Sequence, residues 1–131
     1  MQTSTSETYG TAQYVPIDEN HSKHAQSPYA ATKIAADEIA LSYYRSFGTR
    51  VRVMRPFNTY GPRMIPNDGR VVSNFIVQAL KGNSLTIYGD GSQTRSFCYI
   101  YDMVEGIYKL LHSNYTKPIN LGNPEEIHWE I

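Results

Sequence analysis

Cys98 is the only cysteine in the sequence, which excludes an internal disulfide framework and fits a reducing compartment. No charge of either sign is in excess, since 12 Lys plus Arg balance 12 Asp plus Glu. A protein that grips a nucleic-acid backbone carries a basic surplus or stripe, so that class of partner is disfavoured. Apolar runs are only a few residues long, far short of the ~20 that a membrane-spanning helix needs. The opening residues, MQTSTSETYG, hold neither the basic start nor the apolar stretch of a secretory signal. Asn20-His21-Ser22 and Asn114-Tyr115-Thr116 fit the glycosylation pattern, but without an export signal they read as coincidence. From these absences a cytoplasmic location is expected, with neither membrane nor nucleic acid as partner.

What is present points to a globular domain. The chain has 131 residues, of which 40% are hydrophobic and 12% aromatic, enough for one core and too few for two domains. Residues 10–26 are polar and aperiodic, a loop. Ser27-Pro28 then signals a helix start, with Ser as N-cap and Pro where its missing N–H is harmless. Ile34, Ile39, Leu41 and Tyr44 continue this helix to Gly48. The β-branched alternation in Arg50–Arg55 predicts a strand ended by Pro56, and residues 56–70 a long loop. A second helix is expected over Val71–Lys81 and stops at Gly82. Leu85–Tyr88 reads as a short strand and Arg95–Ile100 as another. Asp102 is the expected cap of a third helix reaching Leu111, and Pro118–Leu121 the last strand. Helices alternating with short strands indicate the α/β class.

The sharpest chemical pattern is Tyr29-Ala30-Ala31-Thr32-Lys33. Four residues along a helix put two side chains on one face, one turn apart. A lysine ammonium there favours tyrosinate and helps a phenol that ionises near pH ~10 to act as a base. Alone, the same spacing also describes a surface tyrosine resting on a lysine stem. Ser4-Thr5-Ser6-Glu7-Thr8-Tyr9-Gly10 offers hydroxyls and a carboxylate at a strand end, suited to handling protons or to a plain polar turn. His21 and His24 read as a solvated loop rather than a metal site. His112 ends a helix, where a cation is favourable, and Cys98 has no partner histidine. No metal is expected.

STSETYG, SPYAATK and RPFNTYGPR, in that order and spacing, resemble the extended short-chain dehydrogenase/reductase family of NAD-dependent nucleotide-sugar epimerases, dehydratases and decarboxylases. The resemblance runs through essentially all of the chain. It implies that Tyr29 takes the proton from a sugar hydroxyl while hydride passes to NAD. Lys33 would hold the NAD ribose and lower the Tyr29 pKa, and Pro56 would also belong to the cofactor site. Thr5 would bond the reacting sugar oxygen, with Ser6 and Glu7 beside the reacting carbons and Glu7 as acid/base. Asn58 and Arg95 would bind the nucleotide sugar, with Asn74 and Tyr88 as further substrate contacts. Helix surface and strand packing explain Asn74 and Tyr88 equally well. Asn67–Phe75, GDGSQTRSFCYI and NLGNPEE are similar to the UDP-glucuronate decarboxylase branch. The first half, with Ala30-Ala31-Thr32 between Tyr and Lys, looks as much like 4,6-dehydratases and 4-epimerases.

A dinucleotide-binding fold carries G-x-G-x-x-G after its first strand, and this chain has no such run. Gly89-Asp90-Gly91 has Thr94 in the third position. The expectation is therefore a partial Rossmann-like fold, a fragment lacking the N-terminal half of the nucleotide-binding sheet. Residues 1–60 would close that sheet and carry the catalytic motifs, and residues 61–131 would belong mainly to the substrate-binding part. Family resemblance implies a UDP-sugar as substrate and a homodimer in the full-length form. Another helix is expected to begin across Glu126–Ile131. The alternative of a different class is a non-catalytic remnant that packs on a full-length paralogue.

Overall fold

The computed structural model describes residues 1–66, 68–87 and 94–128. Its centre is a parallel three-stranded sheet of β1 (Gln2–Thr3), β2 (Val53–Pro56) and β6 (Ile119–Leu121), in the order β1-β2-β6. Gln2 pairs with Val53, and Arg55 with Asn120. Between β1 and β2 runs α1 (Pro28–Phe47), a crossover helix of the kind that joins parallel strands. The α/β expectation holds, with β2 buried along Val53, Met54 and Arg55.

Local chemistry sets α1 as expected. Ser27 Oγ accepts from the Ala30 N–H at 3.1 Å, Pro28 occupies the first turn, and Gly48 ends the helix with φ of 66°. Ser27→Ala should cost about 1 kcal/mol through loss of this cap, readable as a lower thermal midpoint. A midpoint unchanged from wild type would remove the cap from the account.

Several elements differ from the expectation. The residue 56–70 loop contains a two-residue strand, β3 (Thr59–Tyr60). The second helix, α2, spans Val71–Leu80. Leu85–Ile87 form no strand, because Gln78 on α2 takes that segment. Its Oε1 accepts from the Thr86 N–H at 3.0 Å, and its Nε2 donates to Thr86 Oγ1 at 3.1 Å. Tyr88 lies outside the described residues.

The strand expected over Arg95–Ile100 is two short strands in different sheets. β4 (Thr94–Arg95) pairs antiparallel with β7 (Ile127–His128), while β5 (Cys98–Tyr99) pairs in parallel with β3. Ile127–His128 are therefore extended, not the start of a helix. The third helix, α3 (Ile100–His112), begins two residues before Asp102. Asp102 lies in its first turn, where a carboxylate still meets the positive end of the helix dipole. Tyr99 is the N-cap and makes no side-chain cap bond.

Gly61 lets β3 approach α3, since a Cβ there would collide with the Ile100 side chain. No described helix is long and apolar enough to cross a membrane.

Candidate active site

Beyond β1 the chain turns at once into a 3₁₀ helix, Ser6–Tyr9. Thr5 starts it, its Oγ1 accepting from the Glu7 N–H at 3.2 Å. The turn folds Thr8 and Tyr9 inward and leaves Glu7 exposed and Ser6 half-buried. The first turn of α1 lies beside it, with Tyr29 49% exposed. Lys33 Nζ stands 5.6 Å from the centre of the Tyr29 ring and donates to the Thr3 carbonyl at 3.0 Å. An ammonium has three donors, so two remain for a ligand beside the Tyr29 ring.

Thr5, Ser6, Glu7, Tyr29, Pro56, Asn58 and Arg95 share the walls of one cavity of about 550 Å³. Seven of the residues expected from the sequence thus converge, contributed by chain segments 90 residues apart. Lys33 stands behind Tyr29. Asn58 donates through Nδ2 to the Ser96 carbonyl at 3.3 Å, and its own carbonyl accepts from the Cys98 N–H at 2.8 Å. It ties the β4–β5 segment to the cavity floor. Arg95 Nη1 donates to the Thr94 carbonyl at 2.8 Å. Asn74 is half-buried on α2 and is not among the lining residues.

Other lining residues were given no role from the sequence. Phe57, Met64, Val72 and Phe97 supply apolar wall, and Arg70 a second guanidinium. Asp68 braces this lip: its Oδ1 accepts from the Arg70 N–H at 3.0 Å and the Ser73 hydroxyl at 2.6 Å. The Ser73 bond, then the Arg70 amide, holds the Asp68 carboxyl below its ordinary pKa. Arg95, Arg70 and the exposed Glu7 line a partly apolar cavity, with Arg70 Nε also paired to Asp68 at 3.3 Å. That suits an anionic ligand with a ring to pack, because the guanidinium fork matches phosphate and carboxylate geometry.

His21 corrects an expectation. It is 3% exposed rather than solvated, packed against the rings of Tyr9 and Tyr14. Its Nε2 accepts from the Gln13 N–H at 3.0 Å, so Nδ1 carries the proton and donates to the Ser22 carbonyl at 2.8 Å. Both ring nitrogens are engaged in pinning the loop.

A buried polar cluster also lay unseen. Asp37 and Arg55 form an ion pair at 3.2 Å, with side chains 0% and 3% exposed. Asp37 sits four residues past Lys33, and this spacing on one helix stripe is the signal that could have found it.

Comparison with known proteins agrees with this geometry. Residues 1–122 match the NAD dependent epimerase/dehydratase family. UDP-glucuronic acid decarboxylase 1 of Danio rerio is 49% identical over 128 residues, covering 94% of this chain and 31% of that protein. The UDP-N-acetylglucosamine 4-epimerase from Methanobrevibacter ruminantium M1, solved with UDP-N-acetylmuramic acid, superposes with a TM-score of 0.92 at 32% identity. That match covers 96% of this chain and 41% of the epimerase. UDP-glucuronic acid 4-epimerase from Bacillus cereus, solved with NAD, superposes at 0.85 and 32% identity over 96% of this chain and 41% of its own. The chain spans about a third of the length of the curated relative it matches. It belongs to the NAD dependent epimerase/dehydratase family.

Proposed function

We propose that the protein carrying this chain converts UDP-glucuronate to UDP-xylose and carbon dioxide, using NAD. The observation that carries this reading is the convergence of Tyr29, Thr5, Ser6, Glu7 and Arg95 on one cavity, in a chain 49% identical to a UDP-glucuronic acid decarboxylase. Tyr29 and Lys33 fit the ribose end of NAD, because the Tyr29 ring opens to the cavity and Lys33 keeps two donors beside it. Pro56 forms the adjoining wall. When bound there, NAD would supply the hydride acceptor for sugar C4 and the donor that restores that centre.

The side chains do the rest. Tyr29 takes the proton of the C4 hydroxyl, assisted by the Lys33 charge, while Thr5 holds the same oxygen. Oxidation at C4 sets the C5 carboxylate β to a carbonyl, so loss of carbon dioxide leaves an enolate rather than a bare carbanion. Arg95 orients the carboxylate beforehand. Ser6 and Glu7 orient the donor that protonates C5. Asn58 supports the sugar side through its bridge to Ser96, whereas Asn74 lies outside the cavity wall and is given no substrate contact.

Ala30-Ala31-Thr32 favours a second reading, a 4,6-dehydratase, in which Glu7 removes the C5 proton from a neutral hexose nucleotide. The two differ in product. Supplied with UDP-glucuronate, the protein should release carbon dioxide and UDP-xylose with no net consumption of NAD. A stable 4-keto-6-deoxy sugar from UDP-glucose, with UDP-glucuronate untouched, would select the dehydratase. The apolar side chains of Ile39, Tyr43 and Phe47, exposed along α1, support pairing of two copies through that helix.

A further inference from the structure

Asp37 is fully buried, and among the described residues its Oδ1 has no hydrogen-bond partner. Its Oδ2 accepts from the Ser4 hydroxyl at 3.0 Å and from Arg55 Nε at 3.2 Å. Arg55 Nη1 donates to the Tyr9 hydroxyl at 2.8 Å, which in turn donates to Asn120 Oδ1 at 2.7 Å. Burial raises the Tyr9 pKa against the opposing pull of Arg55, so the phenol keeps the proton that it gives Asn120.

Three members of this chain of bonds, Ser4, Tyr9 and Arg55, lie within two residues of a cavity residue. Ser4 precedes Thr5, Tyr9 ends the turn that holds Ser6 and Glu7, and Arg55 precedes Pro56. Asp37 shares α1 with Tyr29 and Lys33.

Two of the bonds fix how far α1 is advanced along β1. Lys33 binds the carbonyl of Thr3, and Asp37, one helical turn on, binds the side chain of Ser4. The last residue of β1 and the residue after it are thus held by residues one turn apart, so a slide of the helix by even a single residue breaks both bonds. Tyr29 lies one turn before Lys33, level with the cavity.

Stability alone does not account for this arrangement. A buried ion pair often gains little over apolar residues of the same size, because desolvation offsets the attraction. An unpartnered carboxylate oxygen adds to that cost. What a charged pair provides that leucine does not is a single direction and distance.

We propose that Asp37 and Arg55 are positioning residues, which set the register of α1 against β1 and thereby hold Tyr29 opposite Thr5 and Glu7. The proposal rests on the reading of Tyr29 as the proton acceptor. The test uses the full protein carrying this chain, with NAD and UDP-glucuronate or UDP-glucose. The double variant Asp37→Leu/Arg55→Met leaves no buried charge and Ser4→Ala removes only the tie between helix and strand.

Both variants should keep KM within about threefold. In the double variant kcat should fall about 10- to 100-fold, the range for displacing a reacting group by an ångström. For Ser4→Ala a fall of several-fold is expected. Amide exchange should quicken at residues 5–7 and in the first turn of α1, while the thermal midpoint falls far less than in Arg55→Met alone. Wild-type kcat in a folded double variant overturns the proposal, as does unchanged protection at residues 5–7 in both variants. If the wild type turns over neither nucleotide sugar, the functional reading fails by itself, and the exchange arm still decides the register.

Discussion

Tyr29→Phe should lower turnover by roughly 10²–10⁴-fold, the range for removing a positioned proton-transfer group. The substitution deletes one oxygen and nothing else. The ring remains 49% exposed at the cavity, and Lys33 keeps its bond to Thr3. Affinity for the nucleotide sugar and NAD should therefore change little, and the loss should fall on kcat. Lys33→Met gives the contrasting result, because the ammonium is assigned to the cofactor as well as to the phenol. It should weaken NAD binding in a titration and slow turnover together. Single-turnover kinetics on the full protein, with substrate saturating, separates the two. Wild-type kcat in Tyr29→Phe would remove Tyr29 from the chemistry altogether.

Arg55→Met alone should destabilise the fold by about 3–5 kcal/mol, because it leaves the Asp37 carboxylate buried without its cation. Ser4 remains as the single donor to that carboxylate, and the Tyr9 hydroxyl loses a partner at the same time. The guanidinium also stacks on Tyr9, its carbon 5.1 Å from the ring centre, so packing is lost with the charge. The thermal midpoint should drop by several degrees. Adding Asp37→Leu to Arg55→Met should recover much of that loss, since no charge is then stranded. Equal midpoints for the single and double variants would show that the two side chains are not coupled.

The sequence made some of this legible and hid the rest for physical reasons. Helix α1 was readable because its signals are local: Ser27, Pro28 and Gly48 act on their own neighbours. The cavity residues were readable as types at fixed spacing, and the resemblance assigned them roles. The fate of Arg95–Ile100 was not, because strand propensity cannot say that two residues pair with Ile127–His128 and two others with Thr59–Tyr60. Leu85–Ile87 looked like a strand until the Gln78 side chain claimed its backbone. His21 shows the same limit. Polar surroundings in sequence suggested solvent, yet Tyr9 and Tyr14 bury the ring from positions 12 and 7 residues earlier. Asp37 escaped notice because a buried charge becomes intelligible only once its partner, 18 residues away, is placed beside it.

The rim of the central sheet at β6 is met by a side chain. Along β6 the backbone N–H of Asn120 points away from β2 and is taken by Glu19 Oε1 at 2.7 Å, while Asn120 Nδ2 donates to the Ile17 carbonyl at 3.1 Å. A carboxylate from the long loop stands there in place of a neighbouring strand. An incoming strand would have to evict that carboxylate and meet its charge, and such obstruction is how proteins keep an open rim from recruiting stray chains. At Asn120 the sheet is thereby closed by a side chain from the same chain rather than by another strand.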